Sequence, residues 1–87
     1  MHALVIKVKI NDVEGAEKHL RQNVVPRISQ APGFEAGYWM RKNGSGLAVA
    51  IFETEDAAQQ VSEQVPAMAS DAVGLDDVEV RKVIASA

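Results

Sequence analysis

Leu47 to Phe52 is a run of six consecutive apolar residues. It lies between the turn signal Asn43-Gly44-Ser45-Gly46 and the helix-start signal Glu53-Thr54-Glu55-Asp56. An uninterrupted apolar run of this length reads as a strand covered on both faces. In a chain of 87 residues, that requires a layer on each side of one sheet. The remaining sequence supplies helices for one side only, so the second layer is expected to come from another subunit.

Composition narrows the classes open to such a chain. A single domain spanning 1–87 is expected, near the size at which only about 60–65% of the unfolded surface is buried. There is no cysteine, which excludes disulfide staples, thiolate catalysis and zinc-thiolate sites. The net charge of −3 comes from interspersed charges, with none of the basic stripes that bind nucleic acid. The opening Met1-His2-Ala3-Leu4-Val5-Ile6 is interrupted by Lys7 and Lys9, unlike a secretory leader. No stretch reaches the roughly 18–20 apolar residues of a membrane span. A cytoplasmic protein with no membrane or nucleic-acid partner is expected.

Residues 2–10 alternate, with His2, Leu4, Ile6, Val8 and Ile10 on one face, and predict a first strand. Asn11 and Asp12 offer an N-cap to a helix whose stripe is Val13, Ala16, Leu20, Val24, Ile28 and Ala31. Pro26 lies inside that helix and predicts a bend or break between Gln22 and Ile28, because it removes a backbone donor. Ala31-Pro32-Gly33 ends the helix. Phe34 to Arg41 alternates again and forms a hairpin with 47–52 through the Asn43–Gly46 turn. Thr54 caps a second helix with Ala57, Ala58, Val61 and Val65 on its apolar stripe, and Asp76 to Ala85 is the last strand.

The resulting order, β-α-β-β-α-β, predicts a ferredoxin-like α+β fold. Its four-stranded antiparallel sheet has order 4-1-3-2 and two helices on one face. If Asn43 opposes Gly46, Trp39 meets Ala50 and Gly37 meets Phe52 on one face, while Tyr38 meets Ile51 and Met40 meets Val49 on the other. The Tyr38 face is assigned, with Leu4, Ile6 and Val8, to the helices. The face of Gly37, Trp39, Ala48, Ala50 and Phe52, continuing into Val5, Lys7, Lys9, Glu79 and Arg81, is assigned to a sheet-to-sheet homodimer interface with Trp39 as its anchor.

Several segments resemble the dimeric α+β barrel superfamily, near its antibiotic-biosynthesis-monooxygenase-like and stress-response members. They are Val25-Pro26-Arg27-Ile28, Ala31-Pro32-Gly33-Phe34 and Phe52-Glu53-Thr54-Glu55-Asp56-Ala57. The resemblance implies a homodimer with a pocket between helices and sheet in each subunit. Some members oxidise polyaromatic substrates with O₂ and without metal or flavin, some degrade haem, and many have no known activity. Haem-degrading members carry an aromatic residue and a histidine on or beside the second helix, whereas Ala57 to Ala69 contains neither. The polyaromatic monooxygenases use a Trp, Asn and Tyr cluster. Here Tyr38 and Trp39 are adjacent and project to opposite faces.

The candidate ligand-binding residues are Tyr38, His19, Arg27 and Met40. Tyr38 offers a hydroxyl to a bound carbonyl or phenol, against the alternative of a core tyrosine. His19 offers an acid/base group at the pocket edge, against a solvated helix-flank histidine. Arg27 offers a carboxylate clamp, against simple snorkelling over the apolar edge. Glu17 projects close to the same stripe. His2 has no companion at metal-ligand spacing, so neither metal nor cofactor is implied. Asp76 and Asp77 read as turn residues, and Gly44-Ser45-Gly46 reads as a hairpin tip. The functional reading is a small homodimer with an apolar pocket for a small planar ligand, acting as a cofactor-independent monooxygenase-like protein. The alternative is a non-catalytic ligand-binding, structural or regulatory dimer.

Overall fold

The computed structural model describes residues 1–87, and each alternating segment forms a strand. The strands are β1 (His2–Ile10), β2 (Phe34–Lys42), β3 (Ser45–Phe52) and β4 (Val73–Lys82). They pair antiparallel in the order β2-β3-β1-β4, which is 4-1-3-2 read from the other edge. The first helical run comprises α1 (Val13–His19), a π-turn (Leu20–Val24) and α2 (Val25–Ser29). The second is α3 (Glu55–Met68). This is the ferredoxin-like α+β fold. No helix is long and apolar enough to cross a membrane.

Local chemistry accounts for the element ends. The Thr54 hydroxyl accepts a hydrogen bond from the Ala57 amide at 3.1 Å, satisfying one of the unpaired donors at the start of α3. Asp12 occupies the equivalent position of α1, but its side chain makes no capping hydrogen bond. Gly33 adopts φ +83 where the chain leaves the first helical run, and its carbonyl accepts from the Glu53 amide at 2.8 Å. A Cβ there would stand 2.9 Å from that of Ala57, so glycine serves both the backbone conformation and the close packing.

Pro26 interrupts the helical pattern without breaking the chain's course. The π-turn immediately precedes it, and the Val25 amide reaches back to the Leu20 carbonyl, five residues away. The interruption begins at Leu20, two residues before the expected segment. The widened turn takes up the misfit created by a residue that has no amide hydrogen to donate.

Two features of the sheet differ from expectation in position only. The hairpin loop has two residues, Asn43 and Gly44, between the paired Lys42 and Ser45, with Asn43 at φ 53. Gly46 belongs to β3: a Cβ on it would lie 2.6 Å from Val8 Cγ2. The hairpin register therefore shifts by two, giving Trp39↔Ala48, Gly37↔Ala50 and Tyr38↔Val49. Strand β4 begins three residues early because Leu75, Gly74 and Val73 pair with Val8, Lys9 and Ile10. Asp77 pairs with Lys7, so Asp76 is a bulge residue within the strand and not part of a turn.

A third difference is larger. Leu4 pairs with Ala50 and Ile6 with Ala48, so Leu4, Ile6 and Val8 share a face with Trp39, Gly37, Ala48, Ala50 and Phe52. That face lies under the helices. Phe52 and Leu4 are fully buried there, against Ile28 of α2 and Ala58, Val61, Val65 and Met68 of α3. The expected interface residues Gly37, Trp39, Ala48, Ala50 and Phe52 thus stand on the covered side, which corrects the face assignment. Small residues on β3 are matched by large ones from β1 and the helices, the interdigitation that fills a core. Their size had suggested room for a partner.

The uncovered face carries Val5, Val49 and Ile51, half-buried, with Tyr38, Met40 and Leu47 exposed. Lys7, Lys9, Glu79 and Arg81 surround them, as expected for the open side, and Glu79 accepts from Arg81 at 2.9 Å.

Candidate functional site

The helix layer does not rest evenly on the sheet. Around Leu4, Ala50 and Phe52 the space is filled, and the Phe34 and Phe52 rings meet edge-on with centroids 5.8 Å apart. Toward the hairpin end, the π-turn and α1 stand off the strands. They leave a cavity of about 370 Å³, of the size that accommodates a small organic ligand. Its floor is Ile6, Val8, Trp39 and Ala48 of the sheet, and its roof is Leu20, Val24 and Ile28 of the first helical run. Val65 and Met68 of α3 close one side, while Glu17, Arg21 and Arg41 line its polar part.

Trp39 owes its position to a glycine. A Cβ on Gly37 would fall 2.8 Å from Cη2 of the indole, so the ring lies back over the bare backbone of Gly37. The indole is thereby held as part of the cavity lining.

His19 lines the cavity from the end of α1. Its Nε2 lies 2.7 Å from the carbonyl oxygen of Met68, which can only accept, so Nε2 carries the proton. Asn23 donates from Nδ2 to His19 Nδ1 at 3.2 Å. Both ring nitrogens are thereby engaged, and the histidine ties the first helical run to the last residue of α3. In this arrangement it positions the cavity wall and has no free nitrogen for proton transfer.

At the rim, Arg41 of β2 donates from Nε to Glu17 Oε1 at 3.4 Å and from Nη1 to the Asn43 carbonyl at 3.1 Å. The first contact bridges the sheet edge to α1. At the other end of β1, His2 Nε2 stands 3.6 Å from Glu55 Oε2. No group of three or more His, Asp or Glu side chains is gathered for a metal ion.

Of the four candidates from the sequence, His19 and Met40 border the cavity. Tyr38 is 64% exposed on the open sheet face, and Arg27 is exposed outside the cavity. Trp39, expected at an interface, is instead part of the cavity floor. Leu20, Arg21, Val24 and Arg41 were missed. Arg41 and Trp39 share a strand parity, so correct assignment of one face would have found both. Leu20 and Val24 already stood on the apolar stripe of the first helix, which marks them as facing the sheet but not as facing a cavity, and Arg21 gave no signal at all.

Comparison with known proteins places the architecture. No family model and no curated protein matches the sequence. Among solved structures, a variant of MhuD with two manganese protoporphyrin IX molecules bound per active site superposes with a TM-score of 0.68 at 14% identity. It covers 100% of this chain and 98% of its own. The haem degrader MhuD from Mycobacterium tuberculosis, with two haems in its active site, superposes with a TM-score of 0.56 at 18% identity. It covers 97% of this chain and 98% of its own. At these identities the likeness is one of fold: this chain shares the ferredoxin-like α+β architecture of these two structures.

Proposed function

We propose that this protein binds a planar, largely apolar small molecule in the cavity between the π-turn and the sheet. The observation that carries this reading is the juxtaposition of an open 370 Å³ cavity with the flat indole of Trp39. Neighbours of the same fold bind haem or manganese protoporphyrin IX, which supports a planar ligand shape. An iron-ligating mode fits the residues poorly, since His19 has both nitrogens engaged. The reading is therefore of a metal-free planar molecule held by stacking and apolar contact. Oxidation of that molecule by O₂ is the catalytic form of the same reading, with Trp39 as the aromatic wall.

The working unit in this proposal is a homodimer, joined through the open face around Val5, Val49 and Ile51 and not through the Trp39 face. A band of large aliphatic side chains beside Tyr38 and Met40 supports it, since such patches are uncommon on isolated monomers.

A thermal-shift screen with quinones, polyphenols and protoporphyrins tests the ligand reading. A ligand at a hundredfold excess over its dissociation constant stabilises by about 2.7 kcal/mol. For a domain of this size that is a rise of roughly 10–20 °C. No shift with any planar aromatic compound, in a correctly folded sample, overturns the reading.

A further inference from the structure

The open sheet face carries opposite charges on its two outer strands. Strand pairing sets Tyr38, Val49, Val5 and Glu79 in one row across it, and Met40, Leu47, Lys7 and Asp77 in the next. Lys42 stands one row further along β2, at the hairpin end, where Ser45 and Lys9 follow it across the sheet. The outer strand β2 thus ends in a cation, and the outer strand β4 carries two acids. Lys42 and Asp77 are exposed, and neither makes a side-chain hydrogen bond or ion pair within the chain. Glu79 binds Arg81 through Oε1 alone and keeps Oε2 free.

Two such faces related by a two-fold axis pack as aligned sheets in one of two ways. With the axis across the strands, each strand lies over its own counterpart. Glu79 then faces Asp77 of the partner subunit, and Lys42 comes down on the partner's Ala36, three strands from the partner's acids. With the axis along the strands, β2 lies over the partner's β4, and β1 over its β3. Val5 meets Val49 of the partner subunit, Tyr38 meets the partner's Glu79, and Lys42 lies one row from the partner's Asp77. Alternate residues of a strand are about 7 Å apart, a gap that a lysine side chain spans. This second arrangement joins aliphatic to aliphatic and cation to acid. The first sets acid on acid, which costs affinity.

We propose that the partner of the open face is a second copy of this chain set with its two-fold axis along the strands, Lys42 of each copy reaching Asp77 of the partner subunit and Tyr38 donating to the partner's Glu79. The inference rests on the proposed dimer and adds to it which strands meet and which charges select the partner.

The test uses two variants of the full chain, Lys42→Glu and Asp77→Lys, each alone and then mixed in equal amounts, with mass followed by sedimentation equilibrium. Each variant alone sets like charges together at both symmetric contacts, so its dimer dissociation constant is expected to rise roughly tenfold at low salt. In the mixed dimer both contacts again join opposite signs, and affinity returns to that of the parent. Circular dichroism verifies that both variants are folded, since the altered side chains bond to nothing in the chain. Variants that dimerise as tightly as the parent overturn the charge assignment and leave the dimer standing. Weakened variants that fail to rescue each other overturn the strand arrangement, because positions 42 and 77 then do not meet. A parent chain that is monomeric at micromolar concentration overturns this inference and the dimer reading together.

Discussion

Gly37 and Trp39 show how a residue without a side chain sets the position of the largest one. The indole occupies the space where a Cβ on Gly37 would be, so Gly37→Ala displaces the end of a movable ring and not a fixed backbone. The expected outcome is a small stability change, within about 1 kcal/mol, and loss of ligand binding as the indole swings toward the cavity. Urea melts and a fluorescence titration of Trp39, the only tryptophan, with a planar aromatic compound measure the two separately. His19 gives a complementary prediction. His19→Ala removes the donor to the Met68 carbonyl and lowers stability by about 1 kcal/mol, or roughly 4–8 °C in melting temperature. His19→Gln, whose amide nitrogen can reach the same carbonyl, restores most of the loss. An equal loss in both variants shows that the hydrogen bond is not what matters there.

At the level of elements, the strands and their order were legible because β1 and most of β2 and β4 alternate, while β3 is an unbroken apolar run of strand length. The cap at Thr54 and the stop at Gly33 were legible for a related reason: each rests on a single residue type doing one local job. Gly33→Ala, with φ +83 and a Cβ 2.9 Å from Ala57, is expected to cost about 1–3 kcal/mol in a denaturant melt. Which face the helices cover was not legible. Parity fixes which residues within β2 and β3 share a face, but joining that set to β1 needs the inter-strand register. Leu4↔Ala50 and a slip by one residue place opposite sets under the helices. Side-chain volume was the only guide, and a pleat of Gly46, Ala48 and Ala50 is small because its neighbours are large. The cavity was hidden for the same reason, since its floor lay on the face assigned to a partner.

For the molecule as a whole, one sheet face is closed by its own helices and the other is aliphatic and open. The proposed dimer and the proposed ligand therefore use opposite sides of the same four strands. Ile51→Glu, on the open face, is expected to convert the species seen by light scattering from twice the chain mass to once. Binding of a planar aromatic compound that stabilises the protein in the thermal-shift screen should persist within about threefold, since additivity holds for sites that share no partners. A protein that is already monomeric at micromolar concentration before substitution refutes the dimer. Loss of binding in step with dissociation refutes the separation of the two faces.

The π-turn also has a meaning in terms of insertion and deletion. A π-turn is what an α-helix becomes when one residue is added without disturbing either end. Removing an exposed residue such as Gln22 would let the run from Val13 to Ser29 close into a regular helix. The turn absorbs its extra residue locally, so α1 and α2 would keep their present faces: Glu17 would stay beside Arg41, His19 beside Met68, and Ile28 in the core. What changes is the roof, which loses the width of the π-turn where it stands over the cavity. Single-residue deletions scanned through 20–24 should therefore leave the protein folded in a urea melt while weakening ligand binding, whereas deletions within α3, which has no such turn, should unfold it.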